Sequence, residues 1–394
     1  MLVQFTIKNF RSLRDEATLS MVASSDKEHE EDLLVIDKKK RLVPVAALYG
    51  ANAAGKSNIL LAMRTMQDMV TGASAQLLKD KPLPYQPFSF DNHAPLGPTE
   101  FGVIYFYDGV KYEYSYSYNQ DAILTETLYH WPKGREALVF SREGSEYKFA
   151  ENQKEQMTLA SRTPGNKLYL VASNQWNAPQ TEKAYRWFIE KLLPYDEQDT
   201  ASITIDAVRD SVNSNPMRQR IISELLRADL GIVNIGVTDR SDRKEPYVLM
   251  VHRTKDADGG KQFPMPLEQE SAGTQRFFAR IGHWLNALDK GGVLFVDELE
   301  ASMHPLLTRR LVEMVQDPET NTKHAQLVFT THDTSILDLS LLRRDQIWFA
   351  EKNPETLGTE LYSLVEFSAR KDENIEKGYL LGKFGAIPFL GGEE

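Results

Sequence analysis

The chain has no cysteine, which excludes disulfides, thiolate zinc sites and cysteine nucleophiles. It has no apolar run near the roughly 18 residues that a membrane-spanning helix requires. Its opening, MLVQFTIKNF, lacks the basic start and small-residue cleavage site of a secretory signal. Positive charge is also scarce: 46 Lys and Arg against 56 Asp and Glu give a formal net charge of -10. Broad, charge-driven binding of nucleic acid needs a basic face and is therefore disfavoured, although nucleic acid stays open as a partner. The basic clusters that do occur, Asp37 to Arg41, Arg309–Arg310 and Arg343–Arg344, read as solvated surface or helix C-terminal charge. What remains is a chain of 394 residues, 41% hydrophobic, with room for one large domain or a few smaller ones. A cytoplasmic location without membrane attachment is the expectation.

The most informative stretch present is VAALYGANAAGKSNILLAMRTM. Gly50, Ala51, Asn52, Ala53, Ala54, Gly55, Lys56 and Ser57 fit G-x-x-x-x-G-K-[ST], and Asn58 follows. In that pattern backbone N–H groups wrap phosphates and the lysine reaches the β/γ-phosphates of a nucleotide. The serine hydroxyl binds Mg²⁺ at a helix N-terminus. The flanks agree, since Leu42 to Tyr49 is apolar and of strand length, and Asn58 to Val70 carries helix formers.

Residues 2 to 7 and the following KNFRSL read as an edge strand and turn, and residues 20 to 41 as a surface loop or hairpin. The prolines of KPLPYQPFSFDNHAPLGPTEF forbid a long helix. From Glu100 to Val171 the signal is β, with FGVIYFYDGVKYEYSYSY alternating about an Asp108–Gly109 hairpin turn. ILTETLYHW, ALVFSR and LYLVAS read as further strands. Helical spacing takes over in TEKAYRWFIEKLL and NPMRQRIISELLRADL, an insertion expected to project from the core. Strands resume with IVNIGVTD and YVLMVHR. Thr254 to Lys261 reads as a turn, and its Asp256 and Asp258 suit a hairpin tip better than a metal site. The division that follows is 1–175, a helical insertion over 176–232, and 233–394.

In the second half, GGVLFVDELEASMHP is an apolar strand ending in Asp297–Glu298. After a phosphate loop, a carboxylate at a buried strand's end suits a hold on Mg²⁺, and Glu298 suits the base that polarises attacking water. QLVFTTHD is a second buried strand ending at His332, whose imidazole can hydrogen-bond a γ-phosphate. The other histidines, His29, His93, His130, His252, His283, His304 and His324, read as structural. In EQESAGTQRFFARIGHWL, Ser271, Gly273 and Gln275 open a helix. Ser271 suits an N-cap, but a small-Gly-small turn at a helix start is also an anion site. One nucleotide does not need two phosphate-binding helix ends. This second end is therefore expected to grip the γ-phosphate of a nucleotide held by another subunit.

The order phosphate loop, insertion, ESAGTQR, VLFVDE, FTTHD resembles an ATPase of the ABC type. Its branch is the one shared by SMC proteins, DNA-repair coiled-coil ATPases and overcoming-lysogenization-defect (OLD) nucleases. More closely, the chain is similar to prokaryotic AAA-labelled, ABC-like ATPases of abortive-infection systems, such as the RloA and AbiL groups and the ATPase of PARIS-type phage defence. The similarity runs through FTIKNFRSL, PFSF…PTEFGVIYFYDGVKYEYSY and RRDQIWFAEK…LYSLVEF…YLLGKFGAIP. It implies an α/β fold with a mixed central sheet, an antiparallel β-rich lobe and a helical insertion. It also implies ATP hydrolysis with Mg²⁺ held at Ser57, Asp297 and a Q-loop glutamine, for which Gln175 fits better than Gln86. Ser271, Gly273 and Gln275 then belong to the signature motif and His332 to the switch loop. Ala301 to His304 form the D-loop, with His304 where transporter-type ATPases carry Asp. Arg11 is placed at phosphate or adenine, with a plain surface arginine as the alternative.

The function implied is a nucleotide-driven switch in which two subunits sandwich two ATP molecules and loss of the γ-phosphate releases the clamp. Such a homodimer, or a higher homo-oligomer, would control a separately encoded toxin or nuclease effector in an anti-phage system with a phage-derived trigger. The alternatives are an OLD-like nuclease-associated ATPase and an SMC-like DNA-binding ATPase of DNA repair. The residues after His332 lack the carboxylate cluster that metal-assisted cleavage needs. The insertion is too short for a long coiled coil.

Overall fold

The computed structural model describes residues 1–36, 40–72, 81–90, 97–195, 201–209, 216–228, 231–238, 247–253, 260–367 and 373–387. In chain order the elements begin with β1 (Leu2–Lys8), β2 (Ala17–Ser20), β3 (Leu34–Val35), β4 (Arg41–Leu42), β5 (Val45–Tyr49), α1 (Lys56–Thr71), β6 (Thr99–Tyr107) and β7 (Val110–Tyr118). Next come β8 (Ile123–Trp131), β9 (Ala137–Glu143), β10 (Glu146–Phe149), α2 (Gln153–Ser161), α3 (Tyr169–Gln175), α4 (Pro179–Glu190), β11 (Leu192–Pro194), α5 (Ser202–Arg209) and α6 (Pro216–Arg227). The remainder is β12 (Ile232–Thr238), β13 (Tyr247–Arg253), β14 (Gln262–Pro266), α7 (Ala272–Lys290), β15 (Val293–Val296), α8 (Pro305–Gln316), β16 (Gln326–Thr330), β17 (Ile347–Lys352), β18 (Thr359–Ser363) and α9 (Ile375–Leu380). Among the described residues no helix is long and apolar enough to cross a membrane.

The alternating segments form a seven-stranded antiparallel sheet in the order β10-β9-β8-β7-β6-β1-β2. Its β6–β7 hairpin turns at Asp108 and Gly109, both left-handed with φ of 50° and 73°, as a tight two-residue turn requires. Strand β1 is interior, paired on one side with β2 and on the other with β6, not the edge its position in sequence suggests. LYLVAS departs from expectation too. It begins α3, because the buried Glu126 carboxylate accepts the amides of Tyr169 at 2.6 Å and Leu170 at 2.9 Å. An acidic side chain on first-turn amides favours a helix, and an apolar run of six residues does not choose by itself.

The second sheet has the order β11-β15-β16-β5-β17-β18. All neighbours are parallel except β17 and β18. VAALY, VLFV and QLVFT are buried along their whole length, as parallel strands covered on both faces must be. Helix α1 fills the space between the two sheets, with Ile59, Met63 and Met66 in one core with Ala46, Leu48 and Phe101. The opposite face, Val45, Ala47 and Phe329, packs with Phe277 and Trp284 of α7 and Leu311 of α8. The fold is therefore α/β, with a mixed central sheet and an antiparallel lobe.

The 176–232 segment is not one projecting unit. Trp187 and Phe188 of α4 are fully buried, Trp187 stacking on Tyr105 at 4.1 Å, and β11 extends the central sheet beside β15. Exposing that aromatic face would forfeit several kcal/mol of burial, of order 1.5–3 for each side chain. Helix α5 lies against α7: Thr204 Oγ1 donates to the Ala279 carbonyl at 3.3 Å and accepts the Gly282 amide at 3.1 Å. A Cβ at Gly282 would lie 2.3 Å from Thr204 Oγ1 and 2.7 Å from its Cα. Gly282→Ala should therefore push α5 off α7 and cost about 1–3 kcal/mol, read as a lower melting temperature with faster hydrogen exchange in α5. Unchanged melting and exchange would contradict this packing.

Candidate active site

The phosphate loop joins β5 to α1, and its glycines are demanded by close approach. Gly50 has φ of 152° and a Cβ there would sit 2.2 Å from the Ala350 carbonyl oxygen; Gly55 has φ of 104° and its Cβ would meet Thr359 Oγ1 at 2.1 Å. Between them Ala53 is left-handed, with φ of 63°. No side chain caps the N-terminus of α1, so its first amides are free to receive an anion. A web of side chains fixes the outer wall. Thr359 Oγ1 donates to the Ala54 carbonyl at 2.7 Å, and Asn58 Nδ2 donates to Ser12 Oγ at 2.7 Å. Arg11 donates through Nη1 to Asn58 Oδ1 at 3.4 Å and through Nε to Gln86 Oε1 at 2.5 Å. Asn52 and Ala53 form the open part of the loop, with Ala51 half-buried.

Behind the loop the sheet delivers the chemistry. Lys56 Nζ donates to the carbonyls of Gly50 at 2.8 Å and Ala51 at 3.1 Å, and lies 3.1 Å from His332 Nε2. Ser57 Oγ donates to Asp297 Oδ1 at 3.1 Å. Thr330 Oγ1 also donates to Asp297 Oδ1 while accepting the Glu298 amide at 2.8 Å. Glu298 is exposed and left-handed, with φ of 47°. Burial lowers the Lys56 ammonium below its usual range against the pull of Asp297, Glu300 and Glu298. Burial, then the Lys56 charge, lower the His332 imidazole against Glu300, Glu298 and Asp297. A hydroxyl and a carboxylate at hydrogen-bond distance beside a lysine suit Mg²⁺ shared with substrate phosphates, since that ion takes few protein ligands.

Sequence reasoning missed several contributors. Glu300 Oε1 accepts the His332 amide at 2.7 Å, joining the acidic loop to the switch loop; the third carboxylate of VDELE was its only signal. Ser12 and Thr330 lie within KNFRSL and FTTHD, where sequence alone assigns them no role, and Thr359 lies in no motif. The tail YLLGKFGAIP also reaches the site. Glu376 accepts from Thr334 Oγ1 at 2.8 Å, Tyr379 meets the Tyr49 ring edge-on at 6.0 Å, and Tyr379 and Phe384 both stack on Phe349.

The residues expected to form a signature motif, Ser271, Gly273 and Gln275, share no contact with this group among those described. Ser271 Oγ caps α7 by accepting the Thr274 amide at 3.1 Å, and Gln275 Nε2 donates to the Glu270 carbonyl at 2.8 Å. Gly273 faces the D-loop, where its Cβ would lie 3.4 Å from the Ser302 carbonyl oxygen. His304 caps α8, its Nδ1 accepting the Leu306 amide at 3.2 Å, and His252 lies 2.6 Å from Glu270. Of the two glutamines, Gln86 is tied to the phosphate loop through Arg11. Gln175, favoured from its position in sequence, accepts from Lys167 at 2.8 Å on the antiparallel lobe. The carboxyl end of β11 beside β15, a further place for such a residue, leads into 196–200, outside the described residues, as are Asp256, Asp258 and His93.

A family model described as "AAA domain, putative AbiEii toxin, Type IV TA system" matches residues 45–338. No curated protein matches the chain. Among solved structures, the SMC head domain from Thermotoga maritima is similar with a TM-score of 0.43 and 13% identity, over 92% of this chain and 98% of that one. The Smc head with an extended coiled coil bound to the C-terminal domain of ScpA, derived from Pyrococcus furiosus, gives 0.44 and 11%, over 92% and 96%.

The lowered imidazole makes a measurable prediction. A polyphosphate beside Lys56 and His332 would favour imidazolium, so binding should take up a proton near the ordinary histidine pKa of about 6.5 and less as pH rises beyond it. Calorimetry with ATP in buffers of different ionisation enthalpy should show this uptake, and His332→Asn should lose it. Equal uptake by both proteins would place His332 away from the anion.

Proposed function

The chain belongs to the AbiEii-type AAA-domain family, and from that premise we propose that it is an ATP-hydrolysing switch acting as a homodimer. The observation that carries this reading is the meeting of Lys56, Ser57, Asp297 and His332 at one end of the central sheet. In the proposed mechanism the phosphate-loop amides and Lys56 hold the β/γ-phosphates, leaving the loop carbonyls that Lys56 now contacts. Ser57 and Asp297 would hold Mg²⁺, which shields phosphate charge when bound. Glu298 accepts the proton of the attacking water and His332 donates to the γ-phosphate. In this reading Arg11 and Asn58 flank the nucleotide, and Gln86 serves as the Q-loop glutamine, supported by its bond to Arg11 beside the phosphate loop.

Ser271, Gly273 and Gln275 make no contact with this group in their own subunit, among the described contacts, which supports their use across a dimer. The hydrogen bond that makes Ser271 a cap leaves the rest of that helix end for a second copy's γ-phosphate. In this reading helices α5 and α6, reached through the contact of Thr204 with α7, carry the change to a partner, and a separately encoded toxin or nuclease is the effector, in keeping with the toxin–antitoxin description of the family. A phage-derived trigger and higher oligomers belong to the same reading.

Lys56→Ala should abolish ATP binding. Glu298→Gln should bind ATP with near wild-type affinity yet hydrolyse it on the order of 10²- to 10⁴-fold more slowly, since an amide is no base. Steady-state turnover and calorimetric affinity check both. Wild-type turnover by Glu298→Gln would remove Glu298 from the role, and absence of ATP binding by the wild-type chain would remove the function.

A further inference from the structure

Arg280 is one of the largest side chains with no exposed surface, and the mechanism above gives it no task. It sits on α7, the helix that starts at Ser271. Its Nη1 donates to the Leu299 carbonyl and its Nη2 to the Glu298 carbonyl at 3.3 Å. The guanidinium lies over the Tyr195 ring at 5.5 Å, just past β11. One planar cation thus grips two successive carbonyls of the turn that bears Glu298.

That turn needs holding. Glu298 and Ser302 are both left-handed, with φ of 47° and 59°, and neither is glycine. Such residues persist where their surroundings over-determine them, and they gather at functional sites. Strand β16 and the switch loop hold one side of the turn: the Glu298 amide donates to Thr330 Oγ1 at 2.8 Å, the Leu299 amide to the Thr330 carbonyl at 3.0 Å and the His332 amide to Glu300 Oε1 at 2.7 Å. Within the turn the Ala301 amide donates to the Glu298 carbonyl and the Met303 amide to the Glu300 carbonyl, each at 2.9 Å. Arg280 grips it from the α7 side. The fork of a guanidinium fixes direction as well as distance, which an ammonium does not. A shift of α7 along its axis therefore moves both carbonyls. The neighbouring contact of Thr204 with Gly282 puts α5 on the same stretch of helix.

We propose that Arg280 is a positioning residue that couples the Ser271 end of α7 to the aim of the Glu298 carboxylate. A second copy's nucleotide seated on that helix end then sets the hydrolytic geometry of the first copy. This rests on the reading of Glu298 as the base. A residue that only stabilises the fold would lower the melting temperature and leave turnover per folded molecule unchanged.

The test compares Arg280→Met and Arg280→Lys in the full chain. ATP affinity is measured by calorimetry with Glu298→Gln also present, and kcat and KM without it. Arg280→Met should keep ATP affinity within about threefold while kcat falls on the order of 10²-fold, the cost of a misaimed group. Arg280→Lys, which reaches one carbonyl, should recover part of that loss. Turnover per folded molecule within threefold of wild type would overturn the proposal, as would ATP affinity lost in step with kcat. Should Arg280→Met fail to fold, Arg280→Lys is judged on the same criteria with an intermediate loss expected. If the wild-type chain proves inactive on ATP, the reading of Glu298 fails, and amide exchange over 298–303 still decides. Faster exchange in Arg280→Lys supports the hold on the turn, and unchanged exchange overturns it.

Discussion

The parallel pairing of β5, β16 and β15 is the constraint on which the rest of this protein depends. Leu48 pairs with Thr330, and Phe329 pairs with Val296, so all three strands end at nearly the same level. Gly50, Asp297 and His332 then leave the sheet side by side. With β16 in the middle, His332 stands between the lysine of one neighbour and the acidic pair of the other. Thr330 uses its hydroxyl to join Asp297 and the Glu298 amide. A slip of one residue in any of these strands would exchange the side chains that face α1 with those that face α7 and α8, and scatter the site.

Much of this was legible in sequence because buried parallel strands write themselves as unbroken apolar runs, and VAALY, VLFV and QLVFT are such runs. The Asp108–Gly109 turn was legible because its left-handed backbone restricts residue choice. What sequence hid was set at long range. LYLVAS becomes helical through Glu126, and β1 becomes interior by pairing with β6. The segment after Asn177 joins the body because Trp187 needs the Tyr105 ring. Gln86 is tied to the phosphate loop through Arg11, a contact between residues 75 positions apart that no local pattern announces. Arg280 had no signal, because backbone carbonyls leave no pattern for a cation that binds them.

Two elements connect the site with the remainder of the molecule, by different physics. On one side α7 touches α5, the D-loop and the Glu298 turn through close backbone approach and a buried guanidinium. Such contacts transmit displacement because packed interiors yield little. On the other side the C-terminal segment reaches both Tyr49 and Thr334, at the margins of the phosphate loop and switch loop. Its aromatic residues anchor it on Phe349, in β17 opposite the last residue of β5. A change at the phosphates thus has a rigid route towards the α5–α6 helices and another towards the tail.

The proposal that the site is shared between two copies can be tested by mixing subunits. Ser271→Arg places a bulky cation where the neighbour's γ-phosphate would sit, and Lys56→Ala disables the subunit's own loop. Each variant alone should be inactive. In a heterodimer one composite site carries both lesions and the other carries neither, so mixing after verified subunit exchange should return part of the ATP turnover. A mixture that stays inactive would contradict a site shared between two copies.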